Sequence, residues 1–322
     1  MAKIRVGIIG GAGYTAGELI RILLRHPSAV ISFVHSNSQA GKWVHEIHQD
    51  LVGDTDLQFT DTVNTACDLW FLCMGHGRSK SFLAEQVLPD HLKIIDLSNE
   101  FRINQAEGFV YGLPELHKTA IQASQKIANP GCFATAIQLA LLPLAAQNLL
   151  RKDLHIHALT GSTGAGQQPK STTHFSWRSN NVSIYKAFTH QHMAEVKQSI
   201  HYLQSDYDAT VNFLPVRGNF SRGIFASIYT DIGLSIEAIT TIYQAYYAAH
   251  PFVFMCHDNP SLKQVVNTNK CLIHLEKSGD KLLIISMIDN LLKGASGQAV
   301  QNMNLIFGLE ERAGLSLKAS AF

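Results

Sequence analysis

The sequence has almost no charge imbalance, no paired cysteines and no long apolar run, and each absence removes a class of function. Lys plus Arg number 26 against 25 Asp plus Glu, so no broad field of either sign exists to draw nucleic acid or an anionic membrane surface. The five cysteines, at positions 67, 73, 132, 256 and 271, are odd in number and form no C-x-x-C pair. That argues against a disulfide framework and for a reducing, cytoplasmic setting. Histidine is plentiful at 16, yet no Cys/His spacing suits zinc, and no metal is expected. No apolar stretch approaches the ~18 residues of a membrane span, and the N-terminal run turns glycine-rich too early for a signal peptide. What remains is a chain of 322 residues, enough for two ordinary domains, with a small molecule as its expected partner.

The first half alternates strand and helix. Apolar runs at Ile4 to Ile9, Val30 to His35, Asp68 to Met74 and Lys93 to Leu97 each close in small or polar residues, and Glu18 to Leu24 has helical periodicity. That pattern predicts an α/β architecture, a parallel sheet wound with helices whose strand ends bind ligand. Further on, alternating runs at His155 to Leu159, Thr210 to Leu214, Gly223 to Tyr229 and Lys281 to Ile288 predict an α+β domain with a largely antiparallel sheet. Helices are expected from Ala136 up to Pro143, over Ser235 to Ala249, and over Ala295 to Leu309, the last packing back on the first domain.

The segment Asn129-Pro130-Gly131-Cys132-Phe133-Ala134-Thr135-Ala136 sets a thiol where a Pro-Gly turn feeds a helix. Unpaired N–H groups and the positive end of the dipole there favour thiolate and can receive an oxyanion. A buried structural cysteine is the bland alternative. Gly10-x-x-Gly13-x-x-Ala16 follows a strand and opens a helix, the context of a dinucleotide-phosphate turn. The second strand ends in His35-Ser36-Asn37-Ser38 rather than in the carboxylate an NAD ribose needs. Ser36 and Ser38 could donate to a 2′-phosphate, which tilts the choice to NADP(H). Gly161 to Gly166 is a second small-residue turn, equally a cofactor contact or a plain connector. His190-Gln191-His192-Met193-Ala194-Glu195 gathers two imidazoles and a carboxylate, with His192 and Glu195 on one face if helical. They are exposed histidines or partners of Cys132, an imidazole taking the thiol proton. Arg217 and Arg222 in a loop, and Ser98 with Arg102 after a strand, are carboxylate or phosphate clamps unless they are ordinary surface or salt-bridged groups.

Together these residues closely resemble the N-acetyl-γ-glutamyl-phosphate reductase family, in the wider aspartate-semialdehyde-dehydrogenase-like group. The matching stretches are Gly-x-x-Gly-Tyr-Thr-Ala-Gly-Glu-Leu at 10–19, Asp-Leu-Ser-x-x-Phe-Arg at 96–102, Tyr-Gly-Leu-Pro-Glu-Leu at 111–116 and Asn-Pro-Gly-Cys-Phe-Ala-Thr at 129–135. Others are Ser-Thr-Gly-Ala-Gly at 162–166, His-x-His-x-x-Glu at 190–195 and Lys-Gly-Ala-Ser-Gly-Gln-Ala-Val-Gln-Asn-Met-Asn at 293–304. The resemblance implies a glyceraldehyde-3-phosphate-dehydrogenase-like pair of domains. Residues 1–130 and 296–322 would form a Rossmann domain for NADP, and 131–295 a catalytic and oligomerisation domain, in a homodimer or homotetramer. It implies that Cys132 attacks an acyl phosphate, that backbone N–H groups around 129–132 hold the oxyanion, and that NADPH reduces the thioester to a semialdehyde. His190 would be the acid/base. Arg102 would meet the phosphate, and Ser98, Asn129, His192, Glu195, Arg217 and Arg222 would shape the substrate site. Gly10, Gly11, Ala12, Gly13, Tyr14, Thr15, Ala16, Ser36, Ser38, Ser162, Gly164, Ala165, Asn290 and Asn302 would line the cofactor. The chain departs from the family pattern at Gln191, where an Arg is common, at Trp177-Arg178, where a Glu is usual, and at Pro215-Val216-Arg217, where Pro-His-Leu is common. Arg217 or Arg178 could therefore read a second carboxylate, making the acyl group succinyl. Aspartate-semialdehyde dehydrogenase is the rival enzyme, and the His-x-His-x-x-Glu and Tyr-Gly-Leu-Pro stretches argue against it.

Overall fold

The computed structural model describes residues 3–321, which separate into two compact units. The first takes the described residues up to Pro130 together with Ala295–Ser316. Its seven strands are β1 (Ile4–Ile9), β2 (Ala29–His35), β3 (Phe59–Thr60), β4 (Leu69–Leu72), β5 (Lys93–Asp96), β6 (Val110–Tyr111) and β7 (Lys126–Ala128). They lie in the order β3-β2-β1-β4-β5-β7-β6, and every pair is parallel. The order reverses beside β1, so the crevice at a topological switch opens where β1 and β4 end. β1, β2, β4 and β5 arise from the apolar runs read in the sequence; β3, β6 and β7 are too short to leave a pattern. The closing helix, Gly297–Ile306, docks on this unit through polar groups: Lys93 Nζ donates to Ile306 O at 2.6 Å, and His26 and Asn304 side chains meet at 3.1 Å. It follows a π-turn over Leu292–Ser296.

The second unit takes Gly131–Gly294 with the described residues from Leu317 onward. The sequence reading assigned that tail to the nucleotide domain. Instead, Ser320 N and Ala321 N donate to Val266 O and Lys263 O of the second unit. The unit's strands are β8 (Leu154–Thr160), β9 (Ser183–Ile184), β10 (Val211–Arg217), β11 (Ile224–Asp231), β12 (Val253–Met255), β13 (Cys271–Ser278) and β14 (Lys281–Ile288). Their order is β12-β13-β14-β11-β8-β10-β9, mostly antiparallel, with β8/β10 and β12/β13 parallel. Register aligns one end of this sheet. Thr160 pairs with both Arg217 and Ile224, and Ile224 with Ile288. The turns that follow β8, β10 and β14 are thereby brought together.

One helix, Cys132–Ala146, carries buried residues without a break from Phe133 to Ala145, as a helix inside a core must. The sequence reading ended it at Pro143, yet it runs three residues further. A proline inside a helix deprives the carbonyl four residues back of its donor. Here that carbonyl is Leu139 O, and the Tyr247 hydroxyl donates to it, while the Tyr243 hydroxyl donates to Ala140 O at 2.5 Å. A tertiary contact supplies what Pro143 removes.

Candidate active site

Burial separates the cysteines. It raises the thiols of Cys67, Cys73 and Cys256, with Cys73 pushed up to about 12, and Cys271 lies deep in the second sheet. Cys132 is half-buried and is the first residue of its helix. Gly131 is the N-cap, extended at φ −70° and ψ 151°, with no side-chain cap. Its N–H donates instead to Glu195 Oε2 at 2.9 Å. A Cβ on Gly131 would collide with the His192 imidazole, and one on Gly294 would come 2.8 Å from the Cys132 Cβ. Glycine at both places makes room for the protein's own groups.

The backbone of residues 129–131 is already used. Asn129 N donates to Asp96 O, Pro130 has no N–H, and Gly131 N serves Glu195. Of the expected donors around 129–132, that leaves the N–H of Cys132 and the rest of the helix's first turn.

His192 and Glu195 lie on one buried face of the helix His192–Leu203. His190 precedes it, packed edge-on against His192 (4.6 Å between centroids), Phe133 (5.4 Å), Phe213 (5.6 Å) and Tyr185 (5.8 Å). Burial lowers the His190 pKa to about 4, with help from Lys186 and Arg217, so the ring is neutral near pH 7. His192 N donates to His190 Nδ1 at 3.2 Å, which puts the ring proton on Nε2. In that tautomer Nε2 carries the ring's donor proton.

Tyr185, which sequence reasoning missed because it lies in an irregular segment, sits under the Arg217 guanidinium, 4.7 Å from ring centroid to Cζ. Burial pushes its hydroxyl up to about 12, and Arg217 and Cys132 are among its electrostatic neighbours. Arg178 is committed elsewhere. Its nitrogens donate to Thr172 O, Asn181 O, Arg217 O and Ser183 Oγ at 2.7 to 3.3 Å, and so brace these loops. Arg222 is likewise engaged, with Nε and Nη2 on Asp289 Oδ2 at 3.1 and 3.0 Å. Asp289 also accepts from Asn267 N, Leu291 N and Leu292 N, and its carbonyl takes Gly294 N. This buried carboxylate shapes the loop that presents Gly294 to Cys132; an Asp-Asn pair right after a strand was its only trace in the sequence. Asn290 accepts from Gly223 N and donates to Thr163 Oγ1, tying the turn of Ser162, Gly164 and Ala165 to its neighbours.

In the first unit Gly10 adopts φ +81°, and its N–H and that of Gly11 both donate to His35 O. Gly11 and Ala12 lead to Gly13, which caps the helix Tyr14–Leu23, again without a side-chain bond, and a Cβ there would meet nothing within 4 Å. Tyr14, Thr15 and Ala16 form the first turn of that helix. Beyond β2, Ser36 is buried and Ser38 exposed. Lys42, a basic residue that sequence reasoning passed over, folds back in the same loop to donate to Gln39 Oε1 at 3.0 Å. Ser98 Oγ donates to Asp96 at 2.6 Å. The buried Arg102 donates to Asn129 O and Leu97 O. Asn129 Nδ2 donates to Ala295 O, and Asn302 Nδ2 to Gly112 O and Asn129 Oδ1. Asn302 Oδ1 is buried with no hydrogen-bond partner. An open glycine cradle and an unmet buried acceptor fit a dinucleotide. Among the described residues no helix is long and apolar enough to cross a membrane.

Comparison with known proteins agrees with this division. The semialdehyde dehydrogenase NAD-binding domain matches residues 5–124 and the semialdehyde dehydrogenase dimerisation domain residues 132–290. The chain is 60% identical over 321 residues to an N-acetyl-gamma-glutamyl-phosphate reductase of Parabacteroides distasonis, covering 99% of this chain and 100% of the relative. The corresponding figures for that of Christiangramia forsetii are 57% over 320 residues, 99% and 100%. A crystal structure of aspartate semialdehyde dehydrogenase II from Vibrio cholerae, complexed with ASA, superposes with a TM-score of 0.74 at 15% identity, covering 96% of this chain and 99% of that one. The fold thus extends well beyond recognisable sequence similarity, while the closer relatives span the whole chain at more than half identity. The chain belongs to the semialdehyde dehydrogenase family, among its N-acetyl-gamma-glutamyl-phosphate reductases.

Proposed function

We propose that this enzyme reduces N-acetyl-L-glutamyl 5-phosphate to N-acetyl-L-glutamate 5-semialdehyde and phosphate, a step of arginine biosynthesis in the cytoplasm, through a thioester on Cys132. The observation that carries the reading is the half-buried thiol at the first residue of a helix, packed against two glycines, Gly131 and Gly294, that leave no room for a Cβ. In this reading Cys132 attacks as the thiolate that a helix start favours: Sγ bonds to the acyl carbon, the carbon–oxygen bond to phosphate breaks, and phosphate leaves with that electron pair. Bound NADPH supplies the hydride that takes the thioester to the aldehyde. Cys132 leaves as thiolate when the tetrahedral adduct collapses. The helix's first-turn N–H groups and His190 Nε2–H face the developing oxyanion, as hydrogen-bond donors do in acyl transfer. Arg102 and Ser98 serve the phosphate side, and His192 and Glu195 hold the cysteine turn in shape.

Gly10 to Ala16 would cradle the pyrophosphate, with Ser162 to Ala165, Asn290 and Asn302 on the nicotinamide side. NADP is favoured over NAD because no carboxylate follows β2, whereas Ser36, Ser38 and Lys42 do. A homodimer, or a tetramer built from dimers, is the assembly this reading expects. The test is phosphate-dependent reduction of NADP by N-acetylglutamate semialdehyde, in native enzyme and Cys132→Ala. Turnover should vanish in the variant while NADP binding persists; an active Cys132→Ala enzyme sinks the nucleophile assignment.

A further inference from the structure

Arg217 ends β10, in the row where register gathers the turns of the second unit. One flat face of its guanidinium is covered by the Tyr185 ring at 4.7 Å. Its Nη1 is buried and makes no hydrogen bond. A guanidinium cannot shed its charge or turn a donor into an acceptor, so such a nitrogen in a desolvated place lacks a partner that must be an acceptor. Among the described residues neither Arg217 nor Lys186 belongs to an ion pair: the Tyr185 hydroxyl is a hydrogen-bonding neighbour of Arg217, and Lys186 Nζ donates to the neutral Gln191 side chain at 2.9 Å. Both cations bear on the neutral His190. The other arginine of this region, Arg178, is consumed by loop carbonyls and a serine, and one of those bonds holds Arg217 O at 2.7 Å. Arg217 is thus braced at its backbone carbonyl and stacked on one face, with Nη1 left unbonded at its edge. That edge suits a planar two-oxygen group.

Building on the acyl-phosphate reading above, we propose that Arg217 is the specificity-determining residue of the acylglutamate site, its guanidinium edge pairing with a substrate carboxylate. That carboxylate is either the α-carboxylate or one carried on the N-acyl group, as in a succinyl substituent.

The experiment uses the full-length enzyme in the semialdehyde-oxidising direction with three substrates: N-acetylglutamate semialdehyde, its α-carboxamide, and N-succinylglutamate semialdehyde. Arg217→Met should raise KM by about 100-fold for substrates whose carboxylate it reads, with kcat changed only a few-fold, and Arg217→Lys should recover part of the loss. An equal loss on the acetyl and succinyl substrates, with none on the carboxamide, assigns the α-carboxylate. A loss confined to the succinyl substrate, together with native preference for it, assigns the acyl group. Unchanged KM on all three, or a rise only in the KM for inorganic phosphate, overturns the proposal. NADP affinity checks that each variant is folded. If native enzyme turns over none of the semialdehydes, the acyl-phosphate reading fails by itself. Calorimetric binding of N-acetylglutamate and succinate to native and Arg217→Met protein then tests the carboxylate site alone, equal affinities counting against it.

Discussion

Two helices in this chain, Tyr14–Leu23 and Cys132–Ala146, start from a glycine that offers no side-chain cap, and they use that glycine in opposite ways. Around Gly13 the space a Cβ would take is empty; around Gly131 it is filled by His192. The first helix start is left open, as binding an external phosphate requires. The second already carries a carboxylate of the protein's own, Glu195, on its N-cap N–H, and the reactive thiol follows directly. Small residues in a turn therefore mean two different things: room for a ligand, or room for the machinery that fixes a nucleophile.

The contrast is sharpest in paired substitutions. Gly131→Ala should lower kcat/KM on the order of 10³-fold, because displacing His192 or the turn by about an ångström moves Cys132 out of line. Gly13→Ala should leave kcat and thermal stability nearly unchanged and weaken NADP binding by roughly 10-fold, read by fluorescence titration, since the methyl intrudes only on the ligand's space. Equal behaviour of the two alanines would erase the distinction. Glu195→Gln keeps an acceptor for Gly131 N but removes a charge beside the helix start, so iodoacetamide should alkylate Cys132 about threefold faster at pH 7. Unchanged alkylation would show that the charge is not felt at the thiol. The smallest effect concerns His190. Its folded pKa of about 4 lies below the ~6.5 of an unfolded chain, so acidification through that window protonates the unfolded state first and stability is lost. Denaturant titrations at pH 7 and pH 4.5 should show a smaller difference for His190→Gln than for native enzyme, and an identical difference would refute the linkage.

The fold was legible wherever a strand was long enough to alternate or stay apolar. β1, β2, β4 and β5, and likewise β8, β10, β11 and β14, could be read directly. β13 escaped because its inner half, Cys271 to His274, is buried throughout while its outer half is charged, so it shows neither period cleanly. Residues in the candidate site divide similarly. Cys132 and the His190 to Glu195 cluster stand out by type and spacing. The commitments of their side chains do not, because Glu195 reaches 64 residues back to Gly131 and Arg222 67 residues on to Asp289. Chemical type is local information; hydrogen-bond occupancy is not. Hence Arg178, Arg222 and Arg217 looked equivalent in the sequence, yet Arg178 is spent on loop oxygens, Arg222 pairs with Asp289, and Arg217 stacks on Tyr185 with Nη1 unbonded.

The proline within the cysteine helix has a consequence for how this family can vary. Because the Tyr247 hydroxyl supplies the donor that Pro143 cannot give to Leu139 O, the two positions are energetically coupled although they are far apart in the sequence. Phenylalanine at 247 with proline retained would strand a buried carbonyl, while alanine at 143 with tyrosine retained would give that carbonyl a second donor, so that losing the tyrosine would no longer leave it unbonded. Changing both together restores an ordinary helix. Substitution histories at 143 and 247 should therefore move in step, and a double-mutant cycle should show strong non-additivity.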